Sequence, residues 1–265
     1  MLDMLTLGAI QGIAEWLPLS SEGLIVLAKT HWFGGGRPDE MIRLALFLHM
    51  GTALASIIYF RKEIGALIRD LFSFKTAGDV ERRTLVFYGI AIILSGGLGY
   101  ALYKLIDKSG DALVTHTAMI TLAIGIALCV TGILQILRKK KEVGMRTAGN
   151  ATVGDGVLLG LLQALAVVPG ISRSGITVSG LIFRGYSEED ALRMSFMLSI
   201  PIVIMGNIIL NMKMFAWDPA MFLGLLVAFV VGYATIGVFF RLVKRVPFGP
   251  FVLAFGLLVI ASVFI

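Results

Sequence analysis

Two short stretches hold most of the polar side chains that interrupt the apolar parts of this chain. In QGIAEWLPLSSEGL, Gln11 to Leu24, Gln11 and Glu15 stand four residues apart and then Pro18 precedes Ser20, Ser21 and Glu22. That spacing sets Gln11 and Glu15 on one face of a helix. In PGISRSGIT, Pro169 to Thr177, Arg173 stands between Ser172 and Ser174, with Thr177 one turn further on. A new helix start offers unpaired N–H groups and the positive end of the helix dipole, and an arginine adds a charged fork that matches phosphate oxygens. Gly170, Ser172, Ser174 and Thr177 around Arg173 therefore read as a cradle for a phosphate or carboxylate. Ser20 and Ser21 read as a second helix start, with capping as the structural alternative. Glu22, in the first turn, also suits the positive helix end. Glu15 is an acid–base candidate or the ion-pair partner of Arg173, and an incoming anion is able to exchange into such a pair.

These residues sit in a very apolar background. The chain has 265 residues, of which 57% are hydrophobic and 15% charged, with a mean hydropathy of +0.90. A soluble domain carries about 25% charged residues, so the composition excludes one and points to an integral membrane protein. The net charge of +6 fits basic loops on one side of a bilayer and does not call for nucleic acid. One cysteine, Cys129, excludes an internal disulfide and a cysteine metal site.

Apolar runs bounded by charge predict spans near 42–60, 84–106, 117–137, 194–212, 219–240 and 248–265. Two further segments, about 4–28 and 154–183, are broken by proline and polar residues. Proline disfavours helix in the residue before it, and free backbone at membrane depth survives only inside protein or against water. Each segment is expected to form a re-entrant helix–turn–helix hairpin. The halves are also alike. LGAIQGIAEWLPLSSEG and LGLLQALAVVPGISRSG run Leu-Gly, Gln, Ala, Pro, Ser, Gly in the same order, and RLALFLHMG parallels RMSFMLSIP, with His49 opposite Ser199. The expected fold is an all-α membrane protein with six transmembrane helices and two re-entrant hairpins. These form an inverted-topology repeat: 1–150 and 151–265, in one membrane domain. The basic loops RKEIGALIRD, RKKKEVGMR and RLVKR fall on one side, which places both termini outside.

The pairing of QGIAEWLPLSSEG with PGISRSGIT resembles the undecaprenyl-pyrophosphate phosphatase family of the bacitracin-resistance (UppP/BacA) type. That family is marked by (E/Q)xxxE before a P-x-S-S turn and by PGxSRSxxT. Gln11 and Glu15 match the first element, Ser20 and Ser21 the turn, and Pro169 to Thr177 the whole second motif. The resemblance implies removal of the terminal phosphate from a C55-type polyprenyl diphosphate in the cell membrane. It further implies support by a divalent cation (Mg2+ or Ca2+), with Glu15 and Glu22 as the carboxylates to hold it, and a homodimer. Glu15, Ser21 and Arg173 are then the expected catalytic groups, with either Ser21 or a Glu15-activated water as nucleophile. Gln11, Ser20, Gly170, Ser172, Ser174 and Thr177 are expected on the phosphate. The family's first turn reads S-S-T-G-H, whereas here Glu22 stands for the threonine and Leu24 for the histidine. Either His49, inside a predicted span, or Glu22 is expected to replace the missing group, the alternative for His49 being an interhelical hydrogen-bond partner. A lipid-phosphate transporter without hydrolysis is the second reading, because broken midplane helices also build transporters.

Overall fold

The computed structural model describes residues 1–17, 20–36, 38–109, 122, 125–126, 128–130, 132–133, 136, 146–168, 171–211, 218–243, 248–261 and 263. Its helices are α1 (Leu2–Ala14), α2 (Ser21–Trp32), α3 (Pro38–Tyr59), α4 (Arg61–Phe72), α5 (Asp79–Ser109), α6 (Val153–Leu165), α7 (Arg173–Phe183), α8 (Glu188–Leu210), α9 (Pro219–Val243) and α10 (Phe248–Ala261). The described residues also hold one 3-10 turn, Ala148–Asn150, and an isolated bridge between Arg146 and Tyr186. Four helices, α3, α5, α8 and α9, are long and apolar enough to cross a membrane, whereas α1, α6 and α10 are shorter apolar helices. At 14 residues, α10 rises about 21 Å. Within the predicted span 117–137 the described residues 122, 125, 126, 128–130, 132, 133 and 136 are helical, and the others lie outside the described residues.

Both predicted breaks are present. Helix α1 ends at Ala14 and α2 starts at Ser21; α6 ends at Leu165 and α7 starts at Arg173. The restart chemistry is the same in each. Ser20 accepts from the Gly23 N–H at 3.2 Å, and Ser172 accepts from the Gly175 N–H at 3.1 Å. Pro18, Leu19, Pro169 and Gly170 lie outside the described residues, so the phosphate contact expected of Gly170 does too.

The short helices α1 and α6 pack crosswise, α1 along α9 and α6 along α5. Each half of the chain thus seats the first helix of the other half's broken pair. Small residues make this possible, because transmembrane helices associate through close packing rather than through water-driven burial. A Cβ at Gly8 would lie 2.3 Å from the Gly224 carbonyl oxygen, and one at Gly160 would lie 2.8 Å from Leu94 Cβ. These are the two glycines of the matching Leu-Gly pairs.

Helices α3 and α8 run antiparallel and are pinned by polar groups at intervals. Arg43 donates to the Leu210 carbonyl at 3.0 Å and Asn207 donates to the Leu46 carbonyl at 2.9 Å. At the opposite end Arg193 pairs with Glu63 of α4. Pro201 interrupts α8 in its interior, removing one backbone donor beside Ser199.

The mouth of the α6–α7 pair is closed by a buried carboxylate. Asp155, 0% exposed, accepts from Arg146 (2.5 Å), Arg184 (2.7 Å), Tyr186 (2.8 Å) and Thr152 (2.7 Å). It thereby ties the start of α6 to the end of α7 and to the segment before them. Asp155→Ala would leave two guanidinium groups and a phenol facing a void. A loss of about 3 kcal/mol is expected from breaking such a buried pair, read as a lowered midpoint of thermal unfolding in detergent.

Candidate active site

The two helix breaks meet. Glu15, in the turn that ends α1, is 6% exposed and is faced by polar groups from four directions. Its Oε2 accepts from Gln11 Nε2 at 2.8 Å, and both Ser21 Oγ, whose one proton goes either to Glu15 or to His49, and His49 Nε2 lie 3.2 Å from it. Its Oε1 accepts from Arg173 Nη2, an ion pair that joins the two broken pairs. The expected exchangeable partnership of Glu15 and Arg173 is therefore made in this structure.

Ser21 Oγ also lies 3.2 Å from His49 Nε2. Glu15 Oε2, Ser21 Oγ and His49 Nε2 thus form a triangle with three sides near 3.2 Å. The other ring nitrogen settles the proton arrangement. His49 Nδ1 lies 2.7 Å from the Ala45 carbonyl, which can only accept, so Nδ1 carries a hydrogen. In the neutral ring Nε2 is then an acceptor facing the Ser21 hydroxyl; in the imidazolium it is a donor facing Glu15. Such an arrangement can take a proton from Ser21 and hold it beside a carboxylate. Leu24, where the resembling family carries histidine, is 37% exposed and does not line the cavity described below, whereas His49 does.

The second break has its own relay. Ser174 donates to the Leu17 carbonyl at 3.0 Å, so its proton is committed, and the 3.3 Å contact with Ser172 is donated by Ser172. The chain Gly175 N–H, Ser172, Ser174, Leu17 carbonyl crosses from one break to the other. Linked hydrogen bonds of this kind polarise and strengthen one another. Among the described residues Ser20 accepts its capping bond and keeps its own hydroxyl proton free for a ligand.

These groups stand at one end of a cavity of about 250 Å³. Glu15, Ser20, Ser21, Glu22, His49, Ser172, Arg173 and Ser174 line its polar end. Its remaining wall is mostly apolar, built by Ile42 and Leu46 of α3, Ile202, Val203 and Leu210 of α8, and Val167, with Tyr103, Gln163 and Ser199 as its polar members. The wall runs toward the end of the molecule where α3 begins and α8 finishes.

Two expected phosphate contacts lie behind this lining. Gln11 is fully buried; its amide donates to Glu15 and, at 3.2 Å, to Thr52, so it orients the carboxylate. Thr177 is also fully buried; it donates to the Arg173 carbonyl at 2.7 Å and shares a 2.6 Å contact with Ser195 Oγ. The Ser195 carbonyl in turn accepts from Arg173 Nη1 at 3.4 Å. Gln11 and Thr177 hold the site's charged groups and do not touch the cavity.

Thr52, Ser195 and Gln163 are site-supporting residues to which the motifs assign no role. Gln163 lines the cavity, donates to Ser95 at 3.4 Å, and leaves its buried carbonyl oxygen without a partner. A readable signal existed for the hydroxyls: Thr52 with Ser56, and Ser195 with Ser199, form i, i+4 polar stripes inside otherwise apolar helices.

Comparison with known proteins points one way. The family profile described as "Bacitracin resistance protein BacA" matches residues 4–261. The chain is 36% identical over 270 residues to the undecaprenyl-diphosphatase of Methanococcoides burtonii, covering 99% of this chain and 98% of that protein. It is 38% identical over 256 residues to the undecaprenyl-diphosphatase of Haloarcula marismortui, covering 94% and 92%. With undecaprenyl-diphosphatase 2 of Streptomyces coelicolor it shares 32% identity over 282 residues, covering 98% and 94%.

Proposed function

This chain belongs to the bacitracin resistance protein BacA family, and from that premise we propose that it is a multi-pass membrane enzyme, an undecaprenyl-diphosphate phosphatase. It removes the terminal phosphate of a C55-type polyprenyl diphosphate and returns the monophosphate carrier lipid. The observation that carries this reading is the triangle of Glu15, Ser21 and His49, set beside Arg173 at the polar end of a cavity that is otherwise mostly apolar. A diphosphate on a prenyl chain has that same division into a charged head and a greasy tail.

Arg173 exchanges Glu15 for the phosphate oxygens, adding a charged fork to the free N–H groups at the starts of α2 and α7. Ser21 Oγ attacks the terminal phosphorus as the bond to the bridging oxygen breaks, and the prenyl monophosphate leaves. His49 Nε2 takes the Ser21 proton, Glu15 stabilises the imidazolium that forms, and that proton passes to the departing prenyl monophosphate, leaving the ring neutral for the second step. Water then attacks the phosphoserine; His49 receives the water's proton and hands it to Ser21 Oγ, releasing orthophosphate. Ser20 supplies its hydroxyl to the non-bridging oxygens, joined by Ser172 once it exchanges Ser174 for substrate, and Gln11 and Thr177 keep Glu15 and Arg173 in place. The prenyl tail lies along Ile42, Leu46 and Val203.

Six spans, two re-entrant hairpins and an inverted repeat complete the proposal. The crosswise packing of α1 on α9 and α6 on α5 supports it, as does the shared capping of Ser20 and Ser172. With the basic loops in the cytoplasm, both termini lie outside. The cavity then opens toward the outer leaflet, at the α3 start and α8 end. The protein works as a homodimer.

A divalent cation belongs to the proposal by family resemblance. The described residues hold no cluster of three or more His, Cys, Asp or Glu, and both Glu15 oxygens are engaged. Glu22 remains as a cavity-lining carboxylate, joined by Glu15 once Arg173 turns to substrate; the substrate's own oxygens would supply the other ligands. Such a cation would offset charge on the diphosphate.

The test is orthophosphate release by the purified protein from undecaprenyl diphosphate. Release is expected, is expected to stop when EDTA removes divalent cations, and to return with added Mg2+ or Ca2+. Lipid movement across vesicles without phosphate release would favour the transporter reading instead.

A further inference from the structure

Helix α4 is joined to α3 by Phe60 alone, and Phe60 is fully buried against the ring of Phe240. Such a link holds α4 at the end of a membrane-crossing helix and leaves it no room to project far into water. No residue of α4 is fully buried, yet its apolar residues are sorted. Ile64 and Leu67 pack against the protein core, while Ile68, Leu71 and Phe72 are exposed, Phe72 by 88%.

The charges are sorted in the same way. On a helical projection Arg61 falls between Ile68 and Phe72, Lys62 and Arg69 fall beyond Phe72, and Glu63 and Asp70 fall on the far side, toward Leu67. Glu63 is turned inward and pairs with Arg193 of α8. Arg61 donates to the Ile58 carbonyl at 3.2 Å and Arg69 touches Asp70 at 3.4 Å, both while exposed to solvent. An apolar edge flanked by cations on the outer side alone complements one surface, a layer of anionic headgroups over acyl chains.

We infer that α4 seats its Ile68–Leu71–Phe72 edge in the membrane interface and binds anionic phospholipid through Arg61, Lys62 and Arg69. Under the orientation proposed above, that interface is the cytoplasmic leaflet. The contact gives the enzyme a lipid-binding surface separate from its cavity.

The test uses the full-length protein in nanodiscs of phosphatidylcholine, with increasing phosphatidylglycerol. A spin label is placed at Phe72→Cys in a Cys129→Ala background, and at Leu71→Cys as a second position. The label is expected at the depth of the headgroup–acyl boundary, to lose motion as phosphatidylglycerol is added, and to regain it at high salt. Lys62→Gln should lower the ratio of seated to free helix about fivefold at a given phosphatidylglycerol fraction, following the free energy of one basic residue at an anionic surface. A label equally open to water-soluble relaxant in all nanodiscs would overturn the inference, as would a depth indifferent to phosphatidylglycerol. Strong label–label coupling would show a second copy of the chain on this edge and would also overturn it. Depth in a nanodisc is independent of sidedness; labelling of the same cysteine in intact cells by an impermeant maleimide tests the orientation separately.

Discussion

Arg173→Ala should lower kcat/KM for phosphate release by about 10³-fold or more, from the loss of a preorganised charged donor at the transferring phosphate. Its fold should survive. Without Arg173, Glu15 still accepts from Gln11 and Ser21 and faces His49, so no buried carboxylate is stranded. Arg173→Lys keeps the charge but not the planar fork, and is expected to recover only a small part of the rate. Glu15→Ala is expected to be equally inactive for two reasons. It removes the group that stabilises the imidazolium, and among the described residues it leaves the Arg173 guanidinium with the Ser195 carbonyl as its remaining partner. The second effect costs about 3–5 kcal/mol of stability. Glu15→Gln separates the two, since the amide oxygen can still accept from Arg173 while the negative charge is gone. Phosphate release and thermal unfolding measured on all four variants check the assignment. Full activity in Arg173→Ala would remove Arg173 from the mechanism.

His49→Gln should lower kcat by about 10²–10⁴-fold, the usual contribution of a positioned general base. The decisive readout is the split between the kinetic constants. Turnover requires His49 Nε2 to accept the Ser21 proton, a task of the transition state alone, so the loss should appear in kcat with little change in KM. The unfolding midpoint should shift little, because the contacts that pin α3 to α8 come from Arg43 and Asn207 and not from His49. Unchanged turnover in His49→Gln would reduce the histidine to an interhelical hydrogen-bond partner. Ser21→Ala should be at least as slow, and phosphate trapped on the protein by acid quench would distinguish serine attack from direct attack by water.

Much of the framework was legible before any coordinates. Hydropathy located the helices α3, α5, α8 and α9, because a long apolar run in water has few alternatives to a bilayer. The two breaks were legible because proline and an N-cap serine act within a few residues of themselves, whatever surrounds them. Glu15, Ser21, His49 and Arg173 stood out because a polar group in an apolar run is costly unless it has a partner or a task.

The arrangement of those residues was not legible. Gln11 and Thr177 carry the same motif signal as Glu15 and Arg173, yet their hydroxyl and amide groups face neighbouring helices rather than the cavity. Which way each points depends on the rotation of α1 about α3 and of α7 about α8, and no spacing within one helix records that. The supporting roles of Thr52 and Ser195 were missed for the same reason.

By itself the sequence determined that this is a membrane protein with two proline-broken helical segments and a small set of polar residues at each break. Those properties come from transfer energies and local backbone sterics, which a short stretch of chain expresses alone. Only the tertiary structure decided that His49, from a helix 28 residues beyond Ser21, closes a 3.2 Å contact with it. It alone decided that Glu15 spans 158 residues to reach Arg173. Such contacts depend on helix register and crossing, which are set by packing at places like Gly8 on Gly224, far from the groups they bring together.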